Sequence, residues 1–202
     1  NYLGVMPDGT AIGNPGASIR VFGSGQIIGG VGSGEGNTIA NAGWGVGFSS
    51  GTGHAIRGNS IYNQSQQGID INRDGVTAND AGDSDDGINH LQNFPEVQSV
   101  SYDANANEVT VTYQVPSDPS LSGSGASVYD LSVDFYVADA SGSGKVYLGS
   151  DTYSATDYNN GPTKQVTFSP QSSVSSGDDI VATATDANGN TSEFSATPVT
   201  VN

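Results

Sequence analysis

The chain contains no cysteine, one methionine and one tryptophan in 202 residues, and only five basic side chains. Without Cys there is neither a disulfide framework nor thiol chemistry, and the redox compartment stays open. Arg20, Arg57, Arg73, Lys145 and Lys164 are scattered singly. Phosphate neutralisation needs clustered Lys and Arg, so no nucleic-acid partner is expected, and anionic membrane surfaces are disfavoured for the same reason. No apolar run approaches the ~20 residues that cross a bilayer as a helix, so no membrane insertion is expected. Nor does a Lys/Arg-led hydrophobic segment open the chain as an export signal would. A chain opening on Asn1 is expected to be a mature product or a piece of something longer.

What the sequence has instead is acid and glycine: 21 Asp and Glu, a formal charge of −16, and 29 Gly. The glycines are unevenly placed, with 21 in the first 90 residues and 8 in the remaining 112. Composition changes near Phe94-Pro95, and the expected organisation is one unit over residues 1–94 and a second over 95–202.

The first unit has no helical periodicity. Short apolar pairs are separated by Gly, Asn and Ser, as in a chain that turns every few residues. Three series of triplets recur. Asn1-Tyr2-Leu3, Asn37-Thr38-Ile39 and Asn59-Ser60-Ile61 form one; Ile19-Arg20-Val21, Val46-Gly47-Phe48 and Ile69-Asp70-Ile71 form the second; Ile27-Ile28 and Ala55-Ile56 form the third. The last repeats are 22 to 23 residues apart, and the earlier ones are wider because 4–18 and 29–36 read as inserted loops. Three short strands per coil of about 22 residues is what a parallel β-helix requires, each rung pairing with the next at ~4.8 Å. Asn1, Asn37 and Asn59 then stack as an asparagine ladder at a turn.

The second unit alternates apolar and polar residues, as in Leu131, Val133, Phe135 and Val137 against Ser132, Asp134, Tyr136 and Ala138. Seven half-buried antiparallel strands are expected at 96–102, 108–115, 129–138, 145–153, 164–169, 179–186 and 191–201. Seven strands in about 107 residues suggest an immunoglobulin-like sandwich lacking the Cys and Trp marks of antibody domains. The fold class is therefore all-β: a short right-handed parallel β-helix followed by an Ig-like antiparallel sandwich.

The stretch Ala55-Ile56-Arg57-Gly58-Asn59-Ser60-Ile61-Tyr62-Asn63, with Gly68-Ile69-Asp70-Ile71, the acidic run 74–87 and Leu91-Gln92-Asn93-Phe94-Pro95, resembles the end of right-handed parallel β-helix regions in large exported bacterial and archaeal surface proteins. The closing run 180–195 is similar to the last hairpin of the Ig-like domain that often follows there. The resemblance implies export and a cell-surface or secreted, adhesin-like location. It says little about chemistry, because function lives in sites rather than folds.

Six Asp lie between Asp70 and Asp86, opposed only by Arg73. Such density destabilises itself unless a cation or solvent screens it. Asp80, Asp83, Asp85 and Asp86 with Asn79 offer hard oxygen ligands, Asp74 adds one from the loop entry, and Gly82 and Gly87 permit tight wrapping, so Ca²⁺ is the expected ion. The spacing is not that of an EF-hand, and the competing reading is a solvated acidic cap. The turns Asp186/Asn188/Asn190/Glu193 and Asp103/Asn105/Asn107/Glu108 are weaker calcium candidates, more easily explained as Asx-type hairpin turns. Mg²⁺ fits less well because it keeps its waters, and two His without Cys make Zn²⁺ improbable.

For catalysis, Arg20 is expected to point outward, with Asp70 as its stacked equivalent in a surface ladder, and His54 and Arg57 are expected to be exposed at a rung edge. No nucleophile triad, phosphate loop or paired Glu stands out. The expected function is a non-catalytic, calcium-binding structural or adhesion module. The alternative is a carbohydrate-active β-helix, of the polysaccharide lyase or hydrolase kind, or a glycan-recognition surface built on Trp44 with Tyr62, Tyr136, Tyr147, Tyr153 and Tyr158. The first coil has no capping helix, so its upper edge is expected to be continued by further sequence or covered by a homo-oligomeric or filament neighbour; a glycan or cell-surface protein is the other expected partner.

Overall fold

The computed structural model describes all 202 residues. The first part is three stacked coils. β1 (Tyr2–Leu3), β4 (Thr38–Ala40) and β7 (Ser60–Tyr62) form one parallel sheet; β2 (Asn14–Val21), β5 (Ala42–Phe48) and β8 (Ile69–Asp70) form the second; β3 (Ile27–Gly29) and β6 (Ala55–Arg57) form the third. The register places Leu3 over Ile39 over Ile61, Ile19 over Val46 over Ile69, and Ile28 over Ile56. Strands this short hold because each rung buries its inward apolar residues on the next and pairs its backbone with it. The asparagine ladder is present: Asn1 Nδ2 donates to Asn37 Oδ1 at 2.7 Å, and Asn37 Nδ2 to Asn59 Oδ1 at 2.9 Å. Gly58 makes the tight passage from β6 to β7, with φ +62° and a position where a Cβ would lie 2.0 Å from the Gly30 carbonyl oxygen.

One expected insert is shorter than the spacing suggested. β2 starts at Asn14, because Asn14 N–H pairs with Asn41 and Ala17 with Trp44, so only residues 4–13 leave the coil, and Val5 bridges Ala11 within them.

The second part is a sandwich of two antiparallel sheets. One holds β9 (Glu96–Asp103), β10 (Glu108–Gln114) and β13 (Lys164–Phe168); the other holds β11 (Leu131–Ala138), β12 (Gly144–Tyr153), β14 (Asp179–Thr185) and β15 (Val199–Thr200). A core including Val109, Val111, Tyr113, Leu131, Val133, Phe135, Leu148, Ile180 and Ala182 fills the space between them. Two departures from the sequence reading stand out. A short helix, α1 (Ala155–Asn159), follows β12, nucleated by a capping box in which Ser154 and Asp157 satisfy each other's backbone N–H. The last expected strand also shrinks to Val199–Thr200, because the Ser192 and Ser195 hydroxyls take the N–H groups of Ala184 and Ala182 where a strand would.

The middle of the polar face of β11 does not meet water. Asp134 and Tyr136 are buried against the coils, Ala138 packs at their edge, and Tyr136, Val181 and Phe194 join Ile39, Val46, Phe48, Ile56, Ile61 and Ile69 in a second core. The sandwich thus closes the far end of the coils. Where a third strand of the last coil would lie under β6, other groups substitute for it. Ile56 N–H donates to Thr191 Oγ1 (3.0 Å), Gly53 N–H to Asn190 Oδ1 (2.6 Å) and His54 N–H to Asn89 Oδ1 (2.8 Å), while Asn89 Nδ2 donates to the His54 and Thr191 carbonyls. Asn89 sits in a turn over Ile88–Leu91 whose last three residues take left-handed angles, and these bonds hold it there.

Candidate metal centre

Residues 79–93 join the coils to the sandwich through paired side-chain amides. Asn79 brackets Phe94, its Nδ2 donating to the carbonyl (3.0 Å) and its Oδ1 accepting the N–H (2.9 Å). Asn93 does the same for Asp80 and also donates to the Pro116 carbonyl at 2.8 Å. These clamps stand in for a strand pairing and fold the acidic run back on itself.

Asp83 is the centre of that fold. It is 1% exposed, takes a left-handed φ of 63°, and accepts from Asn93 N–H (2.9 Å), Gln92 Nε2 (2.6 Å), Ser117 Oγ (2.8 Å) and Ser127 Oγ. Burial pushes its carboxyl up to about 6, opposed by the bonds from Ser127, Ser117 and Asn93. The Gly82 carbonyl accepts Asp118 N–H, which seats the loop against the sandwich segment 115–128.

Asp80, Asp83 and Asp85 bring carboxylate oxygens within 4.8 Å of one another, and this trio could hold a metal ion. Asp80 receives Ser84 N–H and Oγ. Asp85 Oδ1 is enclosed and receives no hydrogen bond at all. Desolvation, then the charge of Asp80, raises the Asp85 carboxyl. A cation would oppose both effects, so the unpartnered oxygen fits an ion better than it fits solvent.

The other three residues expected as ligands lie elsewhere. Asn79 has both amide atoms engaged by Phe94. Asp86 is exposed and takes His90 Nδ1 at 3.0 Å; a Ser124 bond first, then His90, holds it below the usual carboxylate range. Asp74 is exposed beside Asp70, which accepts its N–H at 3.1 Å.

Several polar residues read as exposed are buried or half-buried. His54 is fully buried, stacked on Phe48 at 5.5 Å, with Nδ1 accepting from Gln26 N–H and Nε2 donating to the Ser50 carbonyl. Arg57 reaches across to Asp134 in a two-bond ion pair of 2.7 and 2.8 Å. Burial raises the Asp134 carboxyl and the guanidinium opposes that shift. Asp70 is not in a surface ladder with Arg20. It is buried, accepts from Trp44 Nε1 at 2.7 Å, and is raised mainly by desolvation. Arg20 does face outward, bonded to Ser49 and lying over the Phe22 ring.

Both secondary acidic turns are Asx turns. Asp103 accepts from Asn105 and Ala106 N–H, and Asp186 from Asn188 and Asn190 N–H. Glu193 turns away from its hairpin and enters the coils, where it accepts Ile71 N–H at 2.7 Å and Thr77 N–H at 2.9 Å. Burial lifts its carboxyl to about 8, with Asp70 and Asp74 adding to the rise and the two N–H bonds opposing it. The proposed aromatic platform is dispersed: Tyr136 and Tyr153 are fully buried, and Tyr62 lies under Lys145.

Compared with known protein families, with curated proteins and with solved structures, the chain finds no significant match.

Proposed function

We propose that this chain is a non-catalytic, calcium-binding structural and adhesion module of an extracellular surface protein. The reading rests on one observation: the Asp80, Asp83 and Asp85 carboxylates converge in the segment that pins the coils to the sandwich, and one of them carries an enclosed oxygen without a donor. Asp80 and Asp85 would supply direct oxygen ligands. Asp83, already accepting four donors, would lend charge and hold the loop in place. A bound Ca²⁺ supplies charge neutralisation at a carboxylate cluster and no redox or proton chemistry. A structural role is further supported by the way interior polar groups are used. Arg57, Asp134, His54, Asn89 and Glu193 all bond across the junction of the two parts or within it. The partners that suit such a module are a neighbouring polypeptide at the first coil and a glycan or cell-surface protein.

The test is a thermal melt in EDTA, repeated with millimolar Ca²⁺ and with Mg²⁺. Saturation at about 100 Kd adds ~2.7 kcal/mol, which in a chain of this size is a rise of roughly 5–10 °C. The rise should be selective for Ca²⁺ and absent from the Asp80→Asn, Asp85→Asn double variant. No rise, or an equal rise in that variant, would sink the assignment and leave an acidic cap whose charges are screened by solvent.

A further inference from the structure

Asn-x-Ser/Thr, with x other than Pro, is the acceptor sequence of N-linked glycosylation, and it occurs twice in the chain, at Asn63-Gln64-Ser65 and at Asn190-Thr191-Ser192. The fold treats the two differently. Asn190, Thr191 and Ser192 are all buried where the coils meet the sandwich. Asn190 Nδ2 is bonded to both carboxylate oxygens of Asp186, each at 3.0 Å, and its Oδ1 accepts Gly53 N–H, so a sugar on this amide would displace contacts that close the last coil.

Asn63 directly follows β7 and is exposed, with a left-handed φ of 53°. Gln64 is anchored inside: its Oε1 accepts Ala42 N–H at 3.1 Å, and its Nε2 donates to the Ile39 and Tyr62 carbonyls at 3.0 and 2.9 Å. The residues on either side of that anchor, Asn63 and Ser65, are exposed, and both line one surface groove of about 420 Å³ with Asn14, Pro15 and Gly43. No charged side chain lines this groove. Volumes from ~300 Å³ hold small ligands, so the first sugar of a glycan has room beside its own attachment point. Asn63 Nδ2 makes one hydrogen bond, to Asn41 Oδ1 at 3.3 Å. A primary amide carries two N–H groups, so one is available for substitution and the other is kept for Asn41. Asp139, alongside, accepts Asn63 N–H at 2.5 Å and fixes the backbone at the acceptor. Asp8 and Glu35 balance Arg20 and Arg57 over residues 1–69, so Asn63 lies in the part of the chain without net charge, where an anionic glycan donor is not repelled as it is by the remainder.

We propose that Asn63 is the acceptor of an N-linked glycan, transferred from a polyprenyl diphosphate-linked oligosaccharide by a membrane oligosaccharyltransferase. The proposal rests on the extracellular reading above, because such a donor meets chains that are exported. Asn63 Nδ2 attacks the anomeric C1 of the first sugar. The C1–N bond forms, the C1–O bond to the diphosphate breaks with its electron pair leaving on the polyprenyl diphosphate, and one amide proton passes to a base of the transferase. The exposed Ser65 supplies the hydroxyl that the acceptor sequence requires two residues on.

The test applies a purified single-subunit oligosaccharyltransferase that requires Asn-x-Ser/Thr alone, with a polyprenyl diphosphate-linked trisaccharide, to the folded chain and separately to its tryptic digest. Arg57, Arg73 and Lys164 place the two acceptor sequences in different tryptic peptides, 58–73 and 165–202, and mass spectrometry reads each. Both peptides should be labelled in the digest. In the folded chain, occupancy at Asn63 should exceed that at Asn190 at least tenfold and should be lost in Ser65→Ala, which leaves Asn63 in place. A folded chain bare at Asn63 while the free peptide is labelled would overturn the proposal. Equal labelling of both sites in the folded chain would overturn the selection by the fold on which it stands, and a bare 58–73 peptide in the digest would show the sequence itself to be no acceptor. Transfer to the purified chain needs no export, so a failure of the extracellular reading, seen by fractionating the cells that make the chain, is separate from a failure of this site.

Discussion

Glu193 makes the junction between coils and sandwich sensitive to pH in a direction opposite to that of most carboxylates. Its carboxyl is 3% exposed, its only hydrogen-bond donors are two backbone N–H groups, and the nearby charges, Asp70 and Asp74, are both acidic. Folding lifts its pKa from 4.5 to about 8. Between those values the folded state holds a proton that the unfolded state has released, so stability is fully present below about pH 4.5 and declines as pH rises to 8. At 1.36 kcal/mol per unit the decline from this group is on the order of 5 kcal/mol. Asp83, lifted to about 6 by burial, adds a smaller decline of the same sign that is complete earlier. The assay is urea denaturation at half-unit steps from pH 5 to 9, in EDTA, for the natural chain and for Glu193→Gln. The natural chain should lose stability steadily to pH 8 and level off, and the variant should lose most of that slope above pH 6.5. A denaturation free energy that is level or rises over this range would refute the reasoning, because it would mean that Glu193 is ionised in the folded state without cost.

The remaining predictions concern the same junction and the ladder. Arg57→Met leaves Asp134 charged and unpaired in the interior and should cost about 3–5 kcal/mol, while Arg57→Met with Asp134→Leu should recover most of it, since a buried pair replaced by apolar groups is often neutral; a double-mutant cycle by urea denaturation measures both. Asn59→Ala removes an acceptor for Asn37 N–H and Nδ2 and a donor to Ile28 and Arg57 carbonyls. It should cost about 2–4 kcal/mol, against less than ~1 for the exposed Asn1→Ala. Ser154→Ala opens the capping box of α1 and should cost about 1 kcal/mol with little change in the near-ultraviolet circular dichroism of the buried tyrosines.

The coil register was legible in the sequence because a period of 22 to 23 residues ties each triplet to the next, and stacking allows an inward Ile only above another inward apolar residue. The asparagine ladder follows from the same arithmetic. Sandwich strands were legible for a similar reason, since alternation at β10 and β11 is strict. What alternation cannot reveal is whether the second face meets water. Asp134 and Tyr136 read as an outer face until the coils are placed against it, and the contact joins residues about 77 apart. His54 and Arg57 were misread for the same reason, because the groups that cover them, Asn89, Thr191 and Asp134, lie far along the chain. In the acidic run, density was visible but convergence was not. Asn79 and Asn93 decide which carboxylates meet, and two single amides fourteen residues apart carry no periodic signal. Glu193 was visible only as the last member of an Asx-type turn, and nothing local distinguishes a turn acid that stays in water from one that enters the coils.

The distribution of charge connects these observations. A chain of −16 would repel its own copies at every surface if the charge were spread evenly, yet residues 1–69 are neutral and the excess begins at Asp70. The acids that follow divide by environment. Asp83, Glu193, Asp70 and Asp134 are buried where the two parts meet, each held by donors from elsewhere in the chain, while most of the others stay in water. Buried carboxylates make the junction costly to form and specific in geometry, since each must find its own donors. An ion at Asp80 and Asp85 would offset part of that cost at the one enclosed carboxylate oxygen that has no donor. Stiffness at the junction and neutrality at the near end then serve one arrangement. The sandwich is fixed to the last coil, and six of the nine exposed large hydrophobic side chains lie at the opposite, uncharged end, within the first 31 residues.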